Sequence, residues 1–337
     1  MKISIFSPSG VILERNRLEL AVKHLTGLGA TVHVDEAAAL RYLRFAGTDE
    51  QRLNAIHRVA QNDSKVALAS RGGYGLTRLL DKIDWPLIGQ SIQQGKYWVG
   101  HSDFTVFNLA LLKHTGLPSW AGPMALSDFG RLDAAVVRVP ALDKMTCDTF
   151  MQAMQGQLDY VSFPAKSDYE GLAVEGKLWG GNLVMLCSML ATPHWPDVKD
   201  GILFIEEVNE HTYYIERMLH QLHQAGVLQQ QKAILIGDLG NIKPTPIDRD
   251  YRLKDAIDSI RSVCDVPILT GLPFGHIYKK LTLPVGVSAK LYVKDGTVII
   301  FWGLSGFELA VQTSAWKQNN DANELRGRKP YEVIMRR

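Results

Sequence analysis

Cysteine is scarce in this chain: three in 337 residues, namely Cys147, Cys187 and Cys264, far apart and without a C-x-x-C pair. That excludes a disulfide framework or a cysteine-built zinc site as the basis of the fold. Neither charge is in real excess, with 37 Lys and Arg against 35 Asp and Glu and a net charge of +2. Such a balance gives no electrostatic case for nucleic acid or an anionic membrane as the main partner. No apolar run approaches the roughly 18 residues of a membrane helix. The short apolar start is interrupted by Pro8 and Gly10 before it can form a signal-peptide core. Internal repeats and low-complexity tracts are lacking as well. What is present, 46% apolar and 21% charged residues, is the composition of a globular protein with a buried core. It is expected to stay in a reducing cytoplasm. At about 150 residues per domain, the length predicts two domains.

The first half alternates strand and helix patterns. Lys2–Phe6, Thr31–Val34, Val66–Ala69 and Tyr97–Val99 read as strands. Arg17–Leu28, a helix opened by Thr48 with Gln51 in a capping box, Leu76–Ile83 and Thr105–Lys113 read as helices. This order predicts a mainly parallel sheet covered on both faces. An irregular polar stretch, 163–176, is taken as a linker between an N-terminal α/β domain (1–162) and a smaller C-terminal α/β domain with a mixed sheet (177–337). In the second half, Leu178–Leu190 reads as a Gly-Gly turn followed by an apolar helix. Ile202–Ile205, Ala233–Ile236 and Val266–Leu269 are predicted strands, and Thr212–Ala225 and Tyr251–Val263 predicted helices. Lys294-Asp295-Gly296 marks a hairpin.

Four segments at strand ends carry groups suited to catalysis. In Gly100-His101-Ser102-Asp103-Phe104 a strand runs through a Gly-x-Ser turn into a helix. Such a turn projects the hydroxyl and leaves the first N–H groups of the helix free to hold an oxyanion. The final glycine of that elbow pattern is Phe104 here, and on this segment alone Ser102 reads first as a helix N-cap. Ser70-Arg71-Gly72-Gly73-Tyr74-Gly75 is a glycine loop that lets backbone approach a ligand, or is merely a tight turn. It is neither a Walker A loop nor a dinucleotide fingerprint. Glu206 and Glu207 close an apolar strand and point to opposite faces, and periodicity does not say which is buried. His276, in Leu272-Pro273-Phe274-Gly275-His276, is a candidate general base or an ordinary loop histidine. His220 and His223, with Glu216 one turn earlier, lack a third metal ligand of clear spacing. Serine, glutamate and histidine thus follow in chain order, and a serine needs such a base and such an acid to become nucleophilic.

These motifs, with Gly180-Gly181-Asn182-Leu183, resemble those of the LD-carboxypeptidases, also called muramoyltetrapeptide carboxypeptidases. That family of serine peptidases includes the microcin-immunity hydrolases. The resemblance runs from Ser7-Pro8 to about Gly286. It implies a Ser102–Glu206–His276 triad, favouring Glu206 over Glu207, and an oxyanion hole from the N–H groups of Gly73 and Asp103. It implies a site in the cleft between domains, a homodimer, a small murein tetrapeptide as substrate, and no metal or organic cofactor. Arg71 is a candidate counter-charge for a terminal carboxylate, or a brace for its own loop. Two alternatives stand beside this: an immunity hydrolase acting on a peptide-nucleotide antibiotic, which an aromatic stacking on the base would support (Trp179 and Trp195 lie in the right half of the chain but are as easily core), and a non-catalytic cleft-binding protein. The sequence departs from the family pattern around Leu142–Lys166 and beyond Phe301.

Overall fold

The computed structural model describes residues 1–131, 142–165, 169–240, 242 and 244–303. The chain begins β1 (Lys2–Phe6), α1 (Arg15–Gly27), β2 (Thr31–Val34), α2 (Asp49–Gln61), β3 (Val66–Ala69), α3 (Trp85–Gln93), β4 (Tyr97–Gly100), α4 (Thr105–Thr115) and β5 (Ser119–Ala121). It continues α5 (Lys144–Gln155), β6 (Tyr160–Pro164), β7 (Ala173–Asn182), α6 (Leu183–Met189), β8 (Gly201–Glu206), α7 (Thr212–Gln224), β9 (Gln231–Ile236), α8 (Leu253–Arg261) and β10 (Ile268–Thr270). Three strands close it: β11 (Leu283–Val285), β12 (Val287–Lys294) and β13 (Thr297–Phe301).

Two mixed sheets result. The first has the order β11-β5-β4-β3-β1-β2, in which β1 to β5 are parallel and β11 adds an antiparallel edge. The second has the order β10-β9-β8-β7-β12-β13-β6, parallel from β7 to β10 and antiparallel from β12 to β6. The central strands β3 (VALA) and β8 (GILFIE) are buried along their whole length, as parallel strands covered on both faces must be. The buried apolar residues of both sheets form one continuous cluster.

Local signals explain much of this. Thr48 Oγ1 accepts the Gln51 N–H at 3.2 Å while Gln51 Oε1 accepts the Thr48 N–H at 2.8 Å, the reciprocal bonds of a capping box. Asp295-Gly296 turns β12 into β13, both residues having positive φ. In the first sheet β2 lies on one side of β1 and β3 on the other. The order therefore reverses between β1 and β3, and the loops leaving their carboxyl ends flank a crevice, the place where open α/β sheets bind ligands.

The structure differs from expectation in four places. The stretch 163–176 is not a linker at its ends: β6 and the first half of β7 are strands of the second sheet, and residues 166–168 lie outside the described residues. The exposed face of β7 alternates with half-buried positions, so its sequence looks polar, and β6 sits at a sheet edge where Pro164 is tolerated. β11 belongs to the first sheet although it follows the second half of the chain. Leu76–Ile83 is two short 3₁₀ turns, Leu76–Arg78 and Leu80–Lys82, rather than one helix. The Gly-Gly pair lies within β7, and the apolar helix starts only at Leu183. The segment Leu142–Lys166 contains α5 and β6, and the extension beyond Gly303 lies outside the described residues.

Candidate active site

Ser102 lies two residues past the end of β4, at φ +62°, a left-handed backbone conformation costly for a residue with a Cβ. It opens a 3₁₀ turn, Ser102–Phe104, that leads straight into α4. Its position is not that of the cap: His101 occupies the N-cap, with no side-chain capping bond. The first bond of the turn runs from the Phe104 N–H to the His101 carbonyl at 3.1 Å, so the Asp103 N–H precedes it.

The glycine loop after β3 lies against this turn. A Cβ on Gly72 would sit 2.7 Å from Ser102 Cβ and 2.8 Å from its Oγ, and 3.3 Å from the Asp103 nitrogen, so only glycine fits there. Gly73 follows at φ +113°. Two side chains hold the loop. Asp103 Oδ2 accepts the Leu76 N–H at 3.1 Å. The fully buried Arg52 donates through Nη1 to the carbonyls of Pro8 at 2.7 Å and Gly75 at 2.9 Å, tying the loops after β1 and β3 together. Burial pushes the Asp103 carboxyl above its usual range.

Glu206 is the last residue of β8 and is completely buried. Its Oε2 lies 2.8 Å from Nδ1 of His276, while its Oε1 has no hydrogen-bond partner among the described residues. Gly275, at φ +134°, brings the histidine loop down onto Glu206: a Cβ there would lie 3.2 Å from Glu206 Oε2 and from Asp238 Cβ. His276 keeps a quarter of its side-chain surface open. Burial alone would lower its pKa, but the hydrogen bond and negative charge of Glu206 outweigh that and raise it. Glu207 points the other way. It accepts from Asn182 Nδ2 at 3.1 Å, the Val184 N–H at 2.8 Å and the Val208 N–H at 2.8 Å, holding the start of α6. The alternation of a strand separates the two carboxylates, and their partners distinguish them.

Ser102, Gly72, Gly73, Arg71 and His276 line one pocket of about 350 Å³, with Glu14, Arg17, Met124 and Ser127. Its walls come from the loops after β1, β3, β4, β5 and β10, so the carboxyl ends of the parallel strands of both sheets converge on it. Arg71 donates through Nη1 to the Val11 carbonyl at 2.9 Å. Burial, then the neighbouring Arg17 and Arg44, lower its pKa. Arg17, which in the sequence only marks the start of a predicted helix, donates to the Gly130 and Leu126 carbonyls at 3.1 and 2.9 Å. The pocket walls thus carry two guanidiniums and one carboxylate, Glu14, which lies 3.8 Å from Arg17, and Arg71 is the guanidinium placed to meet an anionic group.

The other candidates lie elsewhere. Trp179 is fully buried, donates to Gln231 Oε1 at 2.9 Å and packs edge-on against Trp195 at 5.5 Å, so both belong to the core of the second half. His220 contacts Ser259 and Glu216, and Glu216 meets Tyr251. His223 contacts Gln229 instead. Burial pushes the Cys147 and Cys187 thiols up to about 12, which makes neither a nucleophile. No described helix is long and apolar enough to cross a membrane.

Comparison with known proteins agrees with this architecture. Residues 3–122 match the family model of the LD-carboxypeptidase N-terminal domain, and residues 175–291 that of the C-terminal domain. A probable murein peptide carboxypeptidase of Bacillus subtilis is 31% identical over 290 residues, covering 86% of this chain and 88% of the relative. The microcin C7 self-immunity protein of Escherichia coli is 25% identical over 321 residues, covering 85% and 88%. The crystal structure of muramoyltetrapeptide carboxypeptidase from Oxalobacter formigenes superposes with a TM-score of 0.80 at 41% identity, covering 90% of this chain and 99% of that one. The two α/β halves, their order along the chain and these matches over most of its length make this protein a member of the LD-carboxypeptidase family, a serine-type enzyme.

Proposed function

We propose that this enzyme hydrolyses the bond between an L-configured centre and a terminal D-alanine in murein tetrapeptides, using Ser102, His276 and Glu206. The observation that carries the proposal is the 2.8 Å contact of His276 Nδ1 with a buried carboxylate, in a loop that lines the same pocket as a serine held in the left-handed region.

With Glu206 accepting from Nδ1–H, the His276 Nε2 is the free lone pair, the tautomer a general base requires. His276 takes the Ser102 proton as Oγ attacks the carbonyl carbon. The resulting oxyanion is held by the N–H groups of Gly73 and Asp103, whose segments are joined by the bond from the Leu76 N–H to Asp103 Oδ2. The imidazolium then gives its proton to the leaving nitrogen, and D-alanine departs. Water, deprotonated by His276, attacks the acyl-enzyme, and Ser102 recovers its proton. Glu206, through its bond to Nδ1, orients and steadies the imidazolium in each half of the cycle. Arg71, on the pocket wall, supplies the counter-charge for the substrate's terminal carboxylate.

The pocket takes no wall from Trp179 or Trp195, which favours the murein peptide over a nucleotide-bearing antibiotic. The reduced cysteines accord with a cytoplasmic enzyme. Incubation with a murein tetrapeptide is expected to release free D-alanine, and Ser102→Ala to abolish release while the melting transition persists. Normal turnover in that variant, or cleavage of an aminoacyl-nucleotide substrate alone, refutes the proposal.

A further inference from the structure

Beside the triad lies a buried ionic cluster that the chemistry above does not use. Lys280 Nζ sits 2.7 Å from Asp128 Oδ1, and the two side chains are only 2% and 5% exposed. Asp128 is further held through Oδ2, which accepts the Met124 N–H at 2.8 Å and the Ser127 hydroxyl at 2.7 Å. Lys280 follows His276 by four residues in the loop entering β11. Asp128 sits in a five-residue π-helical turn, Ala125–Phe129, that forms part of the pocket wall. The pair therefore joins the histidine loop from the second half of the chain to a wall built by the first half.

A third member connects the pair to the catalytic imidazole. His101, almost fully buried, lies with its Nδ1 2.8 Å from the Gly122 carbonyl. A carbonyl only accepts, so Nδ1 carries the proton and Nε2 is left as an acceptor, facing Lys280 Nζ at 3.5 Å. The His101 ring in turn meets the His276 ring edge to face, with centroids 5.1 Å apart. Burial first, then the Lys280 charge, keep His101 neutral, its pKa well below the ordinary histidine value.

Other hydrogen bonds fasten the histidine loop, and they do different work. The Asp238 N–H donates to the Phe274 carbonyl at 2.8 Å. The Leu281 N–H closes the loop on the Pro273 carbonyl at 2.8 Å. Thr146 on α5 donates to the Tyr278 carbonyl at 3.1 Å and accepts the Lys280 N–H at 3.0 Å. These bonds hold backbone. Among the described residues, it is the Lys280 ammonium that reaches from the loop, past His101, to a carboxylate on the opposite wall. An apolar pair of similar volume would pack these segments without the desolvation cost of two charges. What it would not supply is a directed contact that fixes His101, and a positive charge next to His276.

We propose that the Lys280–Asp128 pair, acting through His101, is a positioning element for the reaction: it holds the His276 ring in register with Ser102 across the junction of the two halves. This rests on His276 acting as the base on Ser102. The other charged groups around His276 are Glu206, which bonds it, Asp238 from the loop after β9, and Glu207, which points to the far side of β8 and acts only through its charge, with Arg71, Arg17 and Glu14 on the shared pocket wall. Lys280 is a cation opposing protonation of His276, against the carboxylates that favour it.

The test replaces both charges, Lys280→Met with Asp128→Leu, in the full chain. Ser102 is followed with a fluorophosphonate: Oγ bonds phosphorus, fluoride leaves, and the serine proton passes to His276. The probe needs a positioned serine and base but no peptide recognition. The double variant is expected to melt cooperatively yet react roughly 10- to 100-fold more slowly, the scale of a misplacement of about 1 Å. The acid limb of its pH–rate profile is expected at higher pH, because a cation beside His276 has gone. A folded double variant that reacts at the wild-type rate with an unmoved acid limb overturns the inference. If that variant does not fold, isosteric Asp128→Asn decides: slower phosphonylation with a displaced acid limb supports the inference, and wild-type behaviour overturns it. Failure of the substrate assignment looks different, since the wild-type enzyme would then react with the probe but release no D-alanine from the tetrapeptide.

Discussion

Replacing Glu206 with Gln should cost activity while relieving the fold of a buried charge. In the transition state His276 carries a positive charge whose centre lies roughly 4 Å from that of the carboxylate. At an effective permittivity of about 20 this attraction is worth about 4 kcal/mol. A tenfold rate change corresponds to about 1.4 kcal/mol, so Glu206→Gln is expected to lower kcat by roughly 10³-fold. The fold gains in the same step. Glu206 is completely buried and its Oε1 has no partner among the described residues, so a neutral amide of the same shape removes an under-compensated charge. His276 should respond as well. Its pKa is raised in the folded enzyme because the bond to Glu206 and the charge of Glu206 outweigh burial. Without them the acid limb of kcat/KM moves to lower pH. The raised value also gives stability that is fully present below the unfolded histidine pKa of about 6.5 and lost as pH rises through the folded value. This decline should be flatter in Glu206→Gln. The assays are D-alanine release from a murein tetrapeptide as a function of pH, and denaturant midpoints on both sides of neutrality. A variant within about threefold of wild type in kcat, or an acid limb that stays in place, would refute the reasoning.

Three further outcomes follow from the geometry. Gly72→Ala places a methyl group 2.7 Å from Ser102 Cβ; kcat/KM should fall by roughly 10²-fold, with stability lowered by about 1–3 kcal/mol, as read from kinetics and urea midpoints. Arg71→Ala should weaken hydrolysis of a peptide ending in a free carboxylate far more than that of its C-terminal amide. Equal losses on the two would leave Arg71 as a brace for its loop, which its bond to the Val11 carbonyl already makes it. Thr48→Ala removes the hydroxyl that caps α2 and should cost about 1 kcal/mol in thermal or urea unfolding. As Thr48 does not line the pocket, kcat should stay unchanged.

Local chemistry carried a large share of this protein in its sequence. β1, β2 and β3 were legible to the residue because apolar runs of four or five, bounded by turn residues, admit few other conformations. Thr48 and Gln51 announced the start of α2, and Asp295-Gly296 the β12–β13 hairpin, since caps and tight turns depend on neighbours within four residues. The strand ends bearing Ser102, Glu206 and His276 were visible for the same reason. β6 and β11 were not, because short edge strands get their identity from the partners they pair with far along the chain. Glu206 and Glu207 are chemically alike and adjacent; only the descent of Gly275 onto one face of β8 gives one of them His276 and leaves the other to α6. Arg52, His101, Asp128 and Lys280 carry no local signal at all. Their burial, and the contacts that make burial tolerable, exist only once segments up to 179 positions apart are packed together.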